Sequence, residues 1–414
     1  MEAAKVIGGL TRMVRDVGLA EDFAQEALVA ALQQWPTSGI PANPGAWLML
    51  AAKRRAIDHF RRAERTELKH EEIGRSLLAV ERTTPNFDAA LDDRIGDDVL
   101  RLIFVACHPV LAPEARAALT LRVVAGLTTD EIARAFLVAE PTIAQRIVRA
   151  KRTLAQKRIP FEVPRGLDLQ ARLGSVLEVI YLIFNEGYSA TAGQDLIRVS
   201  LCEEALRVGR ILAELAPHEP EVHGLVALME IQASRSRSRV GPGGEPILLL
   251  DQNRAQWDRL LINRGLAALD RADKLSAVKG TYQLQAEIAA CHARALTAEE
   301  TNWGRIVALY NQLAEIAPSP IVDLNRVVAV SRYFGPQAAL DLLDPLLDEP
   351  LMKNYHLLPS VRGDLLSRLG RHAEARAEFE RAAYMTRNAR EQALLLNRAR
   401  TSAEAAAQAN EASS

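Results

Sequence analysis

Residues 141–158 carry six lysines or arginines and no acid. Read at helical spacing, Thr142, Gln145, Arg146, Arg149, Lys151 and Arg152 form the polar part of this stretch. Ile143, Ile147, Ala150 and Leu154 fall on another face. Arginine and glutamine can make paired hydrogen bonds to base edges, while outlying Lys and Arg neutralise phosphates. A second basic stretch, 44–65, sets Trp47 beside Lys53, Arg54, Arg55, Arg61, Arg62 and Arg65, against Asp58 and Glu64. A cationic helix with an adjacent aromatic can grip phosphates and stack an unpaired base. A third set lies in "IYLIFNEGYSAT" (180–191), where an apolar run ends in Asn185, Glu186 and Tyr188. Asn and Tyr can stabilise charge and Glu can move protons. No nucleophile–base pair, metal-ligand cluster or phosphate-binding glycine loop accompanies them, and His108, His218, His223 and His292 are scattered singly. The set therefore reads as a helix end and a regulatory corner rather than a catalytic one. Gly187 would supply a left-handed stop. No cofactor and no metal are expected.

The elements that must position these residues read as helices almost throughout. Hydrophobic residues make up 49% of the 414, aromatics only 5%, a mix that suits packed helices better than sheets. Residues 5–34 read as one or two helices, with Gly18 ending the first. "WPTSGIPANPG" (35–45) reads as a loop. Residues 66–97, acidic at Asp88, Asp92, Asp93 and Asp97, read as a linker. In 126–158, Thr128 or Thr129 can cap a short helix whose first turn holds Asp130 and Glu131. Ile132, Ala133 and Phe136 are its inner face, a tight connection follows at 137–140, and Pro141 opens the next helix. One helix braces and the other enters the major groove: a helix-turn-helix pattern.

Beyond "IPFEVPRG" (159–166) the chain is helical to about residue 400, with a disordered tail expected after it. Gly363, Leu369, Gly370, Ala375, Phe379 and Ala382 match the spacing of a tetratricopeptide helix pair. Residues 202–217 resemble the second helix of such a pair, and 318–347 a weaker copy. "SRSRSRVGPGGEP" (234–246) reads as a solvated loop, with an RNA or phosphate contact as the alternative.

The formal net charge of −1 argues against a uniformly basic nucleic-acid binder, so the basic patches are local. Three distant cysteines, Cys107, Cys202 and Cys291, imply no zinc site and no disulfide framework. There is no secretory signal and no apolar run long enough to span a bilayer. A cytoplasmic protein without a membrane partner is expected.

Taken together, the two basic modules and the linker resemble the sigma factor superfamily in its compact extracytoplasmic-function form. "GLAEDFAQEALVAAL" is similar to the family's polymerase-binding helix, with Asp22, Gln25 and Glu26 at its polar positions. "AAKRRAIDHFRR" resembles the helix that captures the melted minus-ten strand, matching at Asp58, Arg61 and Arg62, while Arg54 stands where many members carry Asn. "LTTDEIA" and "TIAQRIVRAKR" resemble the minus-thirty-five reader, with Ala139 where a Ser or Thr cap is common. The remainder resembles the large C-terminal extension of one sigma subgroup. The resemblance implies an all-α chain: a region-2-like domain (1–65), an acidic linker (66–97), a region-4-like helix-turn-helix domain (98–160) and a tetratricopeptide-like regulatory domain (165–414). The implied partners are core RNA polymerase and promoter DNA, with an intramolecular contact between the extension and the sigma domains. An ordinary helix-turn-helix regulator with a repeat domain is the competing expectation.

Overall fold

The computed structural model describes residues 2–70, 91–136, 138–164, 167–189, 192–193 and 197–412. The fold is all-α, and among the described residues its strands are one parallel pairing of two residues each, β1 (Ala192–Gly193) with β2 (Arg387–Asn388). The chain divides into two compact units, Met1–Ile180 and Tyr181–Ser414.

The first unit holds α1 (Glu2–Val14), α2 (Val17–Ser38), α3 (Pro44–His70), α4 (Leu91–Ala106), α5 (Pro113–Thr120), a π-helical turn (Leu121–Ala125), α6 (Thr129–Phe136), α7 (Glu140–Gln156) and the first part of α8 (Leu167–Tyr188). The break between α1 and α2 comes from Arg15, which takes a left-handed φ of 56°, and from Asp16, whose side chain accepts from the Leu19 N–H at 3.0 Å. Gly18 thus lies inside α2 and does not end α1. The expected loop at 35–45 is shorter, because α2 continues through Pro36 to Ser38 and stops at Gly39, φ 82°.

The expected linker is also shorter. Residues 66–70 complete α3, and 91–97 open α4. What remains of it, with Asp88, lies outside the described residues. Asp98 is buried and binds Arg101 at 2.7 Å and Arg12 of α1 at 3.5 Å. Gly8 lies so close to the Asp98 carbonyl that a β-carbon would sit 3.0 Å from it. Small size at Gly8 therefore lets α1 pack on α4, and Ile7, Leu10, Leu102, Phe104, Leu119 and Leu121 are all buried. The expected boundary near 165 moves as well. The Ser175 hydroxyl of α8 donates to the Cys107 carbonyl at 2.6 Å, and Arg172 donates to that of Phe104 at 2.9 Å.

The second unit stacks helices in chain order: α9 (Val199–Leu215), α10 (Pro220–Ala233), α11 (Arg259–Leu275), α12 (Thr281–Arg294), α13 (Trp303–Ile316), α14 (Pro320–Tyr333), α15 (Pro336–Leu343), α16 (Leu357–Arg368), α17 (His372–Met385) and α18 (Ala389–Ala412). Its apolar residues fall into successive clusters, one on α10–α12, one on α12–α14 and one on α14–α18. The hairpin read from sequence is there. A β-carbon at Gly363 of α16 would meet the Phe379 ring of α17 at 2.8 Å, Ala375 and Ala382 are fully buried, and Gly370 makes the turn at φ 77°. The expected disordered tail is helical instead, since α18 continues to Ala412 with Leu395 and Ala399 in the core. Among the described residues no helix is long and apolar enough to cross a membrane.

Candidate nucleic-acid interface

The helix-turn-helix is assembled by local chemistry. Thr128 and Glu131 form a reciprocal capping box: the Glu131 N–H donates to the Thr128 hydroxyl at 3.2 Å, and the Thr128 N–H to the Glu131 carboxylate at 2.7 Å. Leu137 lies outside the described residues. Helix α7 starts without a side-chain cap, because Ala139 has none to offer and Pro141 needs none. Ile143, Ile147, Ala150 and Leu154 are buried on one side. Thr142, Gln145, Arg149 and Arg152 are exposed and Arg146 is half-buried on the outside. The outer face of α7 therefore presents Arg and Gln to a partner, with no carboxylate beyond Glu140 along the helix.

Lys151 departs from that reading. Its ammonium lies 2.5 Å from Glu21 Oε2 and 3.6 Å from Asp22 Oδ1, both on α2. Glu21 is buried and also accepts from Arg122 Nε at 2.5 Å. Lys151 is thus held in an internal ion-pair cluster and is not one of the free cations of α7. Burial explains the arrangement: a carboxylate removed from water needs charged partners, and Arg122 of the π-helical turn and Lys151 of α7 supply them.

On α3, Arg54, Asp58, Arg61 and Arg62 are exposed, and Lys53 and Arg55 are half-buried. Arg55 Nε pairs with Glu26 of α2 at 3.1 Å. Burial, reinforced by Arg12, holds the Lys53 ammonium below the usual lysine range. Trp47 packs edge-on against Trp35 at 5.5 Å. Two aromatics escaped the sequence reading. His59 lies 5.5 Å from Phe23, and Phe60, edge-on to His59, is exposed among the cations of α3. The interleaving in "DHFRR" was the available signal. On α2, Asp22 and Glu26 point outward with side chains 66% and 60% exposed, Gln25 is half-buried, and Val29 and Leu32 further along are exposed apolar groups.

Asn185, Glu186 and Tyr188 prove to be part of a packed corner within the second unit. Gly187 is not a left-handed stop. It lies inside α8, where a β-carbon would sit 2.7 Å from the Cys202 nitrogen. Its carbonyl accepts from the Arg198 N–H at 2.7 Å, and the Arg198 guanidinium pairs with Glu186. Tyr188 stacks on Phe184, and its carbonyl accepts from Arg239, whose guanidinium also lies 3.8 Å over the Tyr188 ring. Asn185 is exposed. Burial pushes the Cys107 and Cys202 thiols up to about 12, so both stay protonated and unreactive near neutrality.

Three family models match the chain: Sigma-70 region 2 over residues 2–66, Sigma-70 region 4 over 101–154, and a family of unknown function, DUF6596, over 172–273. An uncharacterized protein of Rhizobium meliloti is 44% identical over 397 residues, 94% of this chain and 92% of that one. The probable ECF RNA polymerase sigma factor SigI of Mycobacterium tuberculosis is 30% identical over 153 residues, 37% of this chain and 51% of the relative. The ECF RNA polymerase sigma factor SigK of a Mycobacterium species is 29% identical over 148 residues, 35% of this chain and 72% of the relative. No solved structure matches.

Proposed function

We infer that this chain, which matches Sigma-70 regions 2 and 4 and is similar to extracytoplasmic-function sigma factors, acts as such a sigma factor with a division of labour among its helices: α2 holds core RNA polymerase, α3 captures the melted minus-ten strand and α7 reads the minus-thirty-five element. The observation that carries this reading is the segregation on α7. Its apolar stripe is buried, while Thr142, Gln145, Arg149 and Arg152 face outward and Arg146 sits between them. Arg146 and Gln145 make the base contacts, and Arg149 and Arg152 neutralise phosphate. Arg54, Arg61 and Arg62 track the single strand, with Trp47 and Phe60 as the aromatic partners. Asp22, Gln25, Glu26 and the exposed Val29 and Leu32 form the polymerase surface. The second unit modulates these activities through tetratricopeptide-like hairpins, of which α16–α17 is the clearest, and an intramolecular contact with the first unit is part of this reading.

Run-off transcription with core polymerase on the chain's own upstream promoter tests the assignment. Transcripts above the no-sigma background are expected. Arg146→Ala should weaken promoter binding by about 1–3 kcal/mol and relax sequence preference. Background-level transcription overturns the reading. A polymerase pull-down that survives Asp22→Arg with Glu26→Arg favours the helix-turn-helix regulator instead. A chain ending at Ile180 reads the second unit's contribution in the same assay, and unchanged output removes the modulating role.

A further inference from the structure

The serine–arginine loop at 234–246 is not the solvated segment its composition suggests. A 3-10 turn at Ser236–Ser238 and a bridge between Val240 and Pro246 order it, and Ser234 and Ser238 are buried. With α9, the start of α11 and Arg390 of α18, it encloses a cleft of about 690 Å³ within the second unit, within the usual range for small-molecule sites. Part of the floor is apolar, formed by Leu206 and Leu261, and Val199 lies at its edge with 55% of its surface exposed.

Among the described residues the charged lining is unbalanced. Four guanidinium groups, those of Arg210, Arg237, Arg264 and Arg390, meet two carboxylates, Glu203 and Asp258. Asp258 is already engaged as the cap of α11, accepting from Leu260 and Leu261 at 2.9 and 3.1 Å. Arg210 pairs with Glu230 at 2.7 Å. Arg390 is held in place. It donates to the Gly243 carbonyl at 3.0 Å and lies flat on Gly244, whose φ of 82° and missing side chain leave room for it; a β-carbon there would sit 2.8 Å from the guanidinium. Among the described residues Arg237 and Arg264 have no ion-pair partner, and both are exposed at the rim. Arg239, within the loop, adds a half-buried positive charge that Tyr188 holds by its ring and carbonyl. Cys202 offers a protonated thiol to the cleft.

We propose that this cleft binds a small amphipathic organic anion, its phosphate or carboxylate head held by Arg237, Arg264 and Arg390 and its short apolar body lying against Val199, Leu206 and Leu261. Guanidinium forks suit either head group, since both offer paired oxygens. The second unit then carries a ligand site of its own, independent of polymerase and DNA.

Isothermal titration calorimetry on the full-length chain tests this with four probes: octyl phosphate, octanoate, inorganic phosphate and octylammonium. One of the two octyl anions should saturate a single site, and which one does so identifies the head group. Inorganic phosphate should bind far more weakly and octylammonium not at all. Arg237→Glu and Arg264→Glu, both at exposed positions, should each weaken the anion by about tenfold or more, as loss of a charge-assisted contact requires. Val199→Asn, which removes apolar surface without adding charge, should weaken the octyl anions and leave inorganic phosphate unchanged. Circular dichroism verifies that the variants keep their helix content. The proposal is overturned if neither octyl anion saturates, if octylammonium or inorganic phosphate binds as tightly, or if affinity survives the two arginine reversals together. None of these readouts involves transcription, so they stand or fall separately from the sigma assignment.

Discussion

Arginine is abundant in both units and does two kinds of work in the molecule. In the first unit Arg54, Arg61, Arg149 and Arg152 point into solvent from two helices. In the second, Arg254 is buried and donates to the carbonyls of His292 and Ala295 at 2.9 and 3.1 Å and to the Thr301 hydroxyl at 2.8 Å. Arg198 and Arg362 are likewise tied to Glu186 and Glu378. A cation can serve a polyanion only when nothing inside the fold has claimed it. Lys151 makes the point within the first unit: its sequence context is that of a DNA contact, yet its ammonium belongs to Glu21.

The sharpest way to break this contrast is to remove an internally engaged arginine. Arg254→Ala leaves two carbonyls and a hydroxyl without their donor in a buried place. It should destabilise the second unit by about 3 kcal/mol, given 1–3 kcal/mol for each buried polar group left unsatisfied and partial relaxation around it. Chemical denaturation followed by circular dichroism measures this. A change below about 0.5 kcal/mol, the range of an ordinary surface substitution, would mean that Arg254 is as dispensable to the fold as an exposed cation. The neighbouring His292 reports the same environment. Burial, with Arg235 and Arg254 beside it, pushes its imidazole down to about 3, so it stays neutral throughout the physiological range.

The contrast also shows which parts of the molecule a sequence can disclose. Helix α7 could be read because charge and apolarity separate within one helical period, and the α16–α17 hairpin because Gly363 and Phe379 lie in one short motif. The capping box of Thr128 and Glu131 is equally local. The packing of the two basic modules against each other was hidden. It rests on Gly8 against Asp98 and on Glu21 reaching Arg122, 101 residues away, and such pairings leave no trace in local periodicity. For the same reason the Asn185–Tyr188 corner looked like a site. Its Glu186 and Tyr188 are engaged by Arg198 and Arg239, whose positions only the fold discloses. Arg15 took the left-handed stop that Gly18 was expected to supply, because Asp16 caps α2 one residue later and fixes where the turn must fall.

A smaller effect, opposite in sign for the outer face of α7, follows from loosening the Glu21 cluster. Glu21→Gln removes the carboxylate that Arg122 and Lys151 share. The first unit should lose about 2 kcal/mol of stability, less than a fully buried pair because both cations keep some contact with water. Lys151 is then free to neutralise a phosphate. Holoenzyme–promoter affinity, measured as a function of salt, should become steeper by about one unit of log–log slope. An unchanged slope would show that Lys151 does not reach DNA even when released, and its place among the α7 contacts would fall.

The smallest expected effect tests the other side of the same ledger of charges. Arg152 is exposed, and neither its spacing from Arg146 nor its position near the end of α7 places it at the bases. As a phosphate contact it contributes one released counterion, and a single exposed charge contributes little to the fold. Arg152→Ala should therefore leave stability within about 0.5 kcal/mol and weaken every promoter sequence alike. Its signature is a salt slope shallower by about one unit, the mirror image of Glu21→Gln in the same titration. Combining the two substitutions should return the slope to that of the unaltered chain, because one cation is gained as another is lost. Should Arg152→Ala alter sequence preference instead, α7 must sit deeper in the groove than its exposed face suggests. The base-reading set would then extend past Arg146 toward the helix C-terminus.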